Sequence, residues 1–301
     1  MVARKSFFGI FFTATAIVAA LSFTSLCCRA AETNSAASDL SSNQCPVLNF
    51  FDGWFDRVSR IQAEQPRWVT PLVTVTPRLE EEVRYDQMWQ SVPGGHQIDN
   101  YDGMKGLELI PFQNVEVIIG VPAWETENTS PTKNGWSDES FLVKYRLLSA
   151  NKDEGDYIVT AFMGLTVPDG GANYTARHFV YAPTIAAGKG WGDFDIQSTV
   201  GFTIPDYGAS RNRPGETVPI NTAFQYRVAK YFWPEFEVNY TWWATGTREG
   251  INQLYLTPGL LIGRLPIYGR LGLTFGAGVQ IAASDNPTFH RNIVATARLP
   301  F

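Results

Sequence analysis

Residues 290–301 read His-Arg-Asn-Ile-Val-Ala-Thr-Ala-Arg-Leu-Pro-Phe. Apolar side chains recur at every second position, at Ile293, Ala295, Ala297, Leu299 and Phe301. The polar residues Asn292, Thr296 and Arg298 occupy the alternate positions, together with Val294. This period of two predicts a β-strand with one apolar and one polar face. A strand at the end of a chain is an exposed edge unless it closes a barrel by pairing with the first strand. The edge strand of a soluble sandwich is the alternative that this segment alone leaves open.

The same alternation recurs upstream, in segments separated by turn residues. Clear examples are residues 80–89, 115–121, 141–147, 194–204, 236–242 and 271–281. We count about twelve such segments, each near the length of a tilted membrane strand. A terminal aromatic residue such as Phe301 is typical of the closing strand of bacterial outer-membrane barrels. The sequence therefore predicts an all-β fold, an antiparallel transmembrane β-barrel of about 12 strands over residues 76–301.

The connections between these segments tend to alternate in length. Long ones span residues 122–138, 168–177 and 205–218, and shorter ones span residues 111–114, 187–193, 229–235 and 263–266. Outer-membrane barrels have short periplasmic turns and longer extracellular loops, whereas a soluble sandwich gives no reason for such alternation. With both termini in the periplasm, the strand number is even.

Composition is consistent with a membrane barrel and argues against nucleic-acid binding. Hydrophobic residues make up 45% of the 301 residues and the mean hydropathy is −0.11, because lipid-facing and lumen-facing residues average out in a barrel. Aromatic residues reach 14%, and several lie beside predicted turns, as in Tyr231-Phe232-Trp233 and Trp242-Trp243. Such rings favour the two membrane interfaces. The net charge of −5 offers no basic patch for nucleic acid.

Residues 1–30 predict a cleaved signal peptide. Arg4 and Lys5 form a basic start, residues 7–26 are apolar, and Cys28-Arg29-Ala30 is a cleavage pattern. An uncleaved anchor helix and a lipoprotein signal are the alternatives. After cleavage only Cys45 would remain, so no internal disulfide is expected.

Residues 31–75 predict a flexible leader followed by a short amphipathic helix. Apolar residues fall at helical spacing across residues 51–61, at Phe51, Trp54, Phe55, Val58 and Ile61. We favour a helix packed at the periplasmic mouth of the barrel, and a plug inside the lumen is the alternative.

Several central motifs carry a family resemblance. They are Asn-Val-Glu-Val-Ile-Ile-Gly-Val-Pro at residues 114–122, Gly-Trp-Ser-Asp at 135–138, Val-Lys-Tyr-Arg-Leu-Leu at 143–148, Gly-Leu-Thr-Val-Pro-Asp-Gly at 164–170 and Gly-Trp-Gly-Asp at 190–193. From residue 107 to the end, the chain resembles the transporter-like outer-membrane family named for the meta-pathway of phenol degradation. The resemblance implies an outer-membrane channel, and the family name implies aromatic compounds. It supplies no catalytic residues.

If the apolar face of each strand faces lipid, the polar face lines the interior of the barrel. The lumen-lining candidates are Glu82, Arg84, Asp86, Glu108, Glu116, Lys144, Arg146, Asp195, Gln225, Arg227, Glu237, Arg270 and Arg298. Facing rows of opposite charge would create a transverse field across a narrow aqueous pore. The alternative is a salt-bridged network that fills the lumen. We favour the narrow or gated passage.

The sequence therefore predicts an outer-membrane channel or transporter for small solutes, hydrophobic or aromatic ones by the family resemblance. A closed structural or adhesive barrel is one alternative. A lipid-modifying enzyme is the other, but the sequence contains no His-x-Ser pair on a strand and no Gly-x-Ser-x-Gly motif. We predict no enzymatic activity, no cofactor and no metal, since His96, His178 and His290 lack zinc spacing.

The expected partners are outer-membrane lipid, a small-molecule solute and the barrel-assembly machinery, the last through the C-terminal strand ending in Phe301. No nucleic-acid partner is expected. The expected location is the outer membrane of a Gram-negative-type bacterium.

Overall fold

This computed structural model describes residues 53–103, 105–207 and 213–301. The chain divides into two compact units, Met1–Arg57 and Val58–Phe301. Residues 53–57 are the described part of the first unit, and the second unit contains the barrel. The predicted signal peptide and the predicted leader up to residue 52 lie outside the described residues.

The second unit is a closed antiparallel β-barrel, as the alternation predicts. In chain order its strands are β1 (Glu82–Val92), β2 (His96–Tyr101), β3 (Gly106–Phe112), β4 (Val115–Ile119), β5 (Trp124–Glu127), β6 (Lys133–Trp136), β7 (Glu139–Ala150), β8 (Tyr157–Val167), β9 (Val180–Trp191), β10 (Phe194–Gly201), β11 (Ile204–Pro205), β12 (Thr217–Tyr226), β13 (Phe232–Trp243), β14 (Asn252–Tyr268), β15 (Leu271–Ala282) and β16 (Arg291–Pro300). The ring of 12 strands runs β1-β3-β4-β7-β8-β9-β10-β12-β13-β14-β15-β16. This confirms the predicted fold class.

The last strand closes the ring by pairing with the first. β16 and β1 are antiparallel, with a register that runs from Glu82 opposite Pro300 to Ser91 opposite Arg291. The strand at residues 290–301 is therefore paired on both sides, since β15 lies along its other edge. Closure removes the free edge that the sequence pattern would otherwise leave.

The shorter strands β2, β5 and β6 extend the barrel wall on one side. β1 pairs with β3 at one end and with β2 at the other, so β2 and β3 together act as one interrupted strand. The interruption contains Gly103, whose φ is +96°. A Cβ at Gly103 would stand 3.1 Å from the Ala123 backbone, so this close approach requires glycine.

Short turns lie at the end of the barrel where the strand β16 ends, and long loops at the other end. The short turns are residues 113–114, 151–156, 192–193, 227–231 and 269–270. The longer loops include residues 168–179, 244–251 and 283–290. In the usual orientation of such barrels the short turns are periplasmic, and we name the two ends accordingly.

Two of the predicted turns are misplaced. β14 continues through residues 263–266, and its turn follows at residues 269–270. Pro266 imitates a turn signal, but the β14–β15 pairing shifts register there, and an irregularity of this kind accommodates proline within a sheet. β9 likewise continues to Trp191 through most of the predicted turn at residues 187–193.

Burial follows the predicted two-residue period around the ring. On β7, Val143 and Tyr145 are 44% and 51% exposed, whereas Lys144 and Arg146 are 0% and 5% exposed. The outer surface is apolar and the inner surface is polar, which is the inverse of the arrangement in a soluble barrel. It is the arrangement that a lipid environment favours.

The helix α1 spans Trp54–Ala63, a shift from the predicted residues 51–61. It follows Gly53, whose φ of +72° places it outside the helix. Its buried residues Val58 and Ile61 share one face, as the apolar spacing predicts. A short 3₁₀ helix, Gly246–Arg248, lies in the loop between β13 and β14. None of the helices in the described ranges is long and apolar enough to cross a membrane.

Candidate functional site: the occupied lumen

Residues 64–81, which we call the lumenal segment, connect α1 to β1 and lie inside the barrel. They contain no helix or strand, and nearly all of residues 65–81 are buried or partly buried. Their hydrogen bonds reach inward-facing side chains on strands around the ring, at Glu116, Lys144, Thr160, Gln197, Glu237 and Arg298. A segment that contacts so many strands of a closed ring occupies its lumen.

The lumenal segment folds back on itself, so that both of its ends lie near the periplasmic mouth. The Gln65 side chain bonds to the backbone of Leu79 twice, donating to its carbonyl at 2.7 Å and accepting from its N–H at 2.9 Å. The Arg78 guanidinium donates to the carbonyls of Pro66, at 2.6 Å, and Trp68. These contacts tie the outgoing and returning halves together.

Prolines explain why this stretch is not the first strand. The alternating Val and Thr residues near Thr74 suggest that the strands begin there, but the first strand begins at Glu82. Pro66, Pro71 and Pro77 each lack a backbone N–H and cannot donate to a ladder. The segment therefore stays irregular, and its backbone must find partners among side chains.

Two glutamates of β13 accept the backbone N–H groups at the inner end of the segment. Glu235 accepts from the N–H of Leu72 at 3.1 Å, and Glu237 accepts from Val73 at 2.8 Å and from Thr74 at 2.6 Å. Glu237 also accepts from the Thr74 hydroxyl. Carboxylates form stronger hydrogen bonds with N–H groups than neutral acceptors do, so these two side chains fix the tip of the segment.

Arginines take the carbonyl groups of the same stretch. Arg84 donates to the Leu72 carbonyl at 2.6 Å, and Arg298 donates to the Pro71 carbonyl at 2.9 Å and to the Thr70 carbonyl. Both guanidinium groups are almost fully buried. The charges of the inner wall thus satisfy a buried irregular backbone, which would otherwise lose its bonds to water.

Glycines on the inner wall form sockets for the large apolar side chains of the segment. A Cβ at Gly259 or Gly278 would lie 2.5 Å or 2.6 Å from a Leu72 methyl carbon, and one at Gly188 would lie 2.5 Å from the Trp68 ring. Real side chains do not approach so closely, so a larger residue at any of these positions would displace the Leu72 or Trp68 side chain. Leu72 and Trp68 belong to the buried apolar cluster that docks the segment.

Ion pairs hold the returning half of the segment near β1. Glu80 lies 2.7 Å from Arg78 and also pairs with Arg264 of β14. Its backbone N–H donates to Glu116 at 2.6 Å. Burial acts to raise the pKa of Glu80, but Arg264 and Arg78 outweigh it and hold that pKa below its ordinary value. Glu80 is therefore an ionised, doubly paired carboxylate.

Beyond the tip of the segment, part of the inner wall is uncharged. Asn239 accepts from Thr257 at 3.0 Å and donates to Asn221 at 3.2 Å, and Asn292 donates to Gln280 at 2.8 Å. We call these five residues of β12–β16 the amide belt. Its amide and hydroxyl groups bond to one another across neighbouring strands, and Asn239 also donates to the Thr74 hydroxyl at 3.5 Å.

Most of the predicted lumen-lining residues are buried in the barrel interior. They are Glu82, Arg84, Asp86, Glu108, Glu116, Lys144, Arg146, Asp195, Gln225, Glu237 and Arg298. Arg227 and Arg270 lie instead at the periplasmic rim, where their side chains are 34% and 30% exposed. Arg227 pairs with Asp193 of the β9–β10 turn, and Arg270 donates to Ser59 of α1 and to the Phe301 carbonyl.

Two cavities flank the point where the lumenal segment enters the barrel. One has a volume of about 440 Å³ and includes Arg67, Arg264 and Arg270 in its lining. The other has a volume of about 290 Å³ and includes Arg67, Trp68 and Arg227. The periplasmic mouth is thus recessed and rich in arginine.

Sequence reasoning missed the lumenal segment itself and its acceptor Glu235. The plug alternative places the helix at residues 51–61 inside the lumen, whereas the structure places residues 64–81 there. The available signal was the glycines at inward positions of β9, β14 and β15, such as Gly188, Gly259 and Gly278, which leave space that something must fill.

Similarity to one solved structure, with a TM-score above 0.5, supports the fold. A solved outer membrane channel from Pseudomonas putida F1 aligns with a TM-score of 0.55 and 10% identity, over 78% of this chain and 100% of that one. The transport unit of the autotransporter AIDA-I from Escherichia coli aligns with a TM-score of 0.44 and 11% identity, over 83% and 97% of the two chains. The CymD monoaromatic hydrocarbon channel aligns with a TM-score of 0.40 and 8% identity, over 83% and 92%.

No protein-family model and no curated protein sequence matches the chain. The class that the fold defines is the outer-membrane β-barrel, with a lumen that residues of the same chain occupy.

Proposed function

We propose that the protein is an outer-membrane channel for small solutes, gated by the lumenal segment. The observation that carries the proposal is the way this segment is held. It has no strand pairing with the wall and is docked by side-chain hydrogen bonds, ion pairs and the Leu72 and Trp68 sockets. Glu81, whose carbonyl accepts from the Phe301 N–H at 3.1 Å, stays with the wall. Residues 64–80 are held only by such contacts and can leave the lumen while the wall stays intact.

The barrel wall supports this interpretation because its ladder is complete without the segment. Each ring strand pairs with two neighbours, and β16 pairs with β1. Undocking therefore breaks no ladder hydrogen bond. It exposes inward-facing charges, such as Glu237 and Arg298, that water can then solvate.

The class of solute rests on the sequence resemblance. Residues 107–301 resemble the transporter-like family named for the meta-pathway of phenol degradation, so we propose hydrophobic or aromatic small molecules as the solutes. We also propose that the chain has no enzymatic activity.

The proposal includes a location and partners. The exposed apolar outer face, with residues such as Tyr145 and Leu147, suits outer-membrane lipid. We propose export by the signal peptide at residues 1–30. Assembly would use the barrel-assembly machinery, which would recognise the strand that ends in Phe301.

A reversible lock of the segment tests the gate. Leu72→Cys and Gly278→Cys would place two thiols at adjacent positions, because a Cβ at Gly278 reaches the Leu72 methyl group. Both changes are made in a Cys45→Ser background, and solute flux is measured in proteoliposomes. We expect oxidation to abolish flux and reduction to restore it.

The matched control is a disulfide within the wall, at Ser198→Cys and Thr222→Cys. These residues face each other across β10 and β12 on the side away from the segment. Oxidation of this control should leave flux unchanged. Equal flux through oxidised and reduced Leu72→Cys/Gly278→Cys protein, with the cross-link verified, would reject the gate.

A further inference from the structure

A third cavity, of about 180 Å³, lies in the inner wall on the extracellular side of Lys144. Its lining combines one ammonium group with small and apolar side chains, and consists of Lys105, Ile118, Ser140, Phe141, Leu142, Gly164, Leu165, Thr166 and Ala182. Nothing in the proposed gate accounts for this recess.

Strand register places the recess on the lumenal face. Glu108, which is fully buried in the interior, stands opposite Ile118 on the neighbouring strand. The same row continues from Ile118 through Leu142 and Gly164 to Ala182. Directly paired residues project from the same face of a sheet, so Ile118, Leu142, Gly164 and Ala182 face the lumen and not the lipid.

Lys105 differs from the other cations buried in the interior. Lys144 donates to the Arg78 carbonyl at 3.1 Å and pairs with Glu116 at 2.8 Å, and Arg84, Arg146 and Arg298 all donate to named acceptors. The Lys105 side chain is 6% exposed, and its ammonium group donates no hydrogen bond to any described residue.

Glu108, at 3.6 Å, balances the Lys105 charge but lies beyond hydrogen-bond distance. A buried ammonium has three donors, and leaving them unused is costly. The recess beside Lys105 is thus a place where a ligand acceptor would complete the coordination of the ammonium.

We infer that this recess binds a small organic carboxylate on its way through the lumen. The carboxylate would pair with Lys105, and the apolar body would lie against Ile118, Leu142 and Ala182. This inference rests on the proposed channel function and specifies its solute class. The substrate would be an aromatic or short aliphatic acid and not a neutral hydrocarbon.

The size of the recess limits the ligand to one ring or a short chain. A cavity of about 150 Å³ accommodates benzene, so about 180 Å³ holds a ring with a carboxylate. Gly164 keeps this space open, because a Cβ there would stand 3.0 Å from the Ala182 side chain.

Benzoate and benzyl alcohol are the probes, since they share a ring and differ in charge. Their binding to the purified full chain is measured by calorimetry in detergent, and their influx is measured in proteoliposomes. Lys105→Met should weaken benzoate binding about tenfold or more, the scale of a lost hydrogen bond to a charged group. Lys105→Arg should retain most of the benzoate affinity. Ala182→Leu, which fills the recess, should weaken binding of both probes.

Lys133→Met is the matched control, because the Lys133 side chain is 52% exposed at the start of β6, outside the recess, and its loss should not affect binding of either probe. Heat-modifiable gel mobility verifies folding, and Lys105→Met/Glu108→Gln keeps the charge balance if the single variant does not fold. Benzoate affinity that is unchanged in folded Lys105→Met protein, or equal affinity for benzyl alcohol, would overturn the inference.

The two proposals fail in different ways. Lys105-dependent benzoate binding without flux of any solute would reject the channel and keep the site. Flux of both probes that is insensitive to Lys105 and to Ala182→Leu would reject the site and keep the channel.

Discussion

Two regions of the same inner wall differ in charge. Around the lumenal segment the wall presents Glu235, Glu237, Arg84 and Arg298, each bonded to backbone groups of that segment. The amide belt beyond the segment is polar but uncharged, and its residues bond to one another, with a single long bond from Asn239 to the Thr74 hydroxyl of the segment. Both regions lie inside one barrel, so the difference arises from what each region faces.

This difference explains why a barrel of this kind buries charged side chains. An irregular segment carries unpaired N–H and C=O groups, and a buried one needs strong partners for them. Charged side chains supply those partners. In the amide belt, neutral groups bond to one another across adjacent strands.

The largest effect is expected from removing both acceptors of the tip. Glu235→Ala/Glu237→Ala would leave the N–H groups of residues 72–74 without partners, at roughly 1–3 kcal/mol for each group. We expect the segment to undock and the channel to conduct steadily in planar bilayers. Gln280→Ala/Asn292→Ala in the amide belt is the control and should stay closed. Equal conductance of the two double variants would show that the charges do not hold the segment.

A smaller effect is expected from emptying one socket. Leu72→Ala removes a fully buried side chain, and such changes cost about 2–5 kcal/mol. With Val75→Cys as reporter in a Cys45→Ser background, the thiol-labelling rate should rise at least tenfold. Val143→Ala, at a 44% exposed position on the outer face of β7, is the control and should change labelling little. A rate that does not respond to Leu72→Ala would mean that the sockets contribute nothing to docking.

Variants of Arg298 and Arg270 test whether the position of an arginine, and not its charge alone, determines how firmly the segment is docked. Arg298→Gln removes donors to the buried Thr70 and Pro71 carbonyls, an effect of about 1.5–3 kcal/mol. Arg270→Gln changes a partly exposed rim residue and should have an effect within about 1 kcal/mol. The same labelling assay should therefore separate the two variants. Similar labelling rates in both would contradict the assignment of Arg298 to the segment.

The smallest effect concerns Glu80 and pH. Because the pKa of Glu80 is held below its ordinary value of 4.5, its stabilisation is present above pH 4.5 and is lost as pH falls through the lowered pKa. Glu80→Gln should label a few-fold faster than the unchanged protein at pH 7, since Arg264 is partly exposed. That difference should persist to pH 4.5 and disappear below it. A difference that vanishes already at pH 6 would contradict the lowered pKa.

The barrel was predictable from sequence because alternation is a local signal repeated along the chain. Strands such as β7 and β16 show it directly, and closure follows from the hazard of a free edge at residues 290–301. The β14 turn was misplaced because Pro266 carries a turn signal that a register shift absorbs.

The lumenal segment was not predictable in the same way, since its structure depends on contacts distant in sequence. Thr74 bonds to Glu237, and Leu72 fits against Gly259 and Gly278. Alternation of Val and Thr near Thr74 suggests a strand, and only the assembled wall shows why an irregular path is stable. For the same reason, the alternation of polar and apolar residues predicts that Arg84 and Glu237 face the interior, but it does not predict which groups they bind.

Single-channel conductance is the most direct test of whether the lumenal segment closes the barrel. The full chain is compared in planar bilayers with a variant in which residues 64–79 are replaced by a flexible Gly-Ser linker of equal length. We expect the channel formed by the full chain to stay closed or to open rarely, and the replacement variant to conduct steadily. The same conductance in both, from barrels that fold equally, would contradict the claim that this segment closes the lumen.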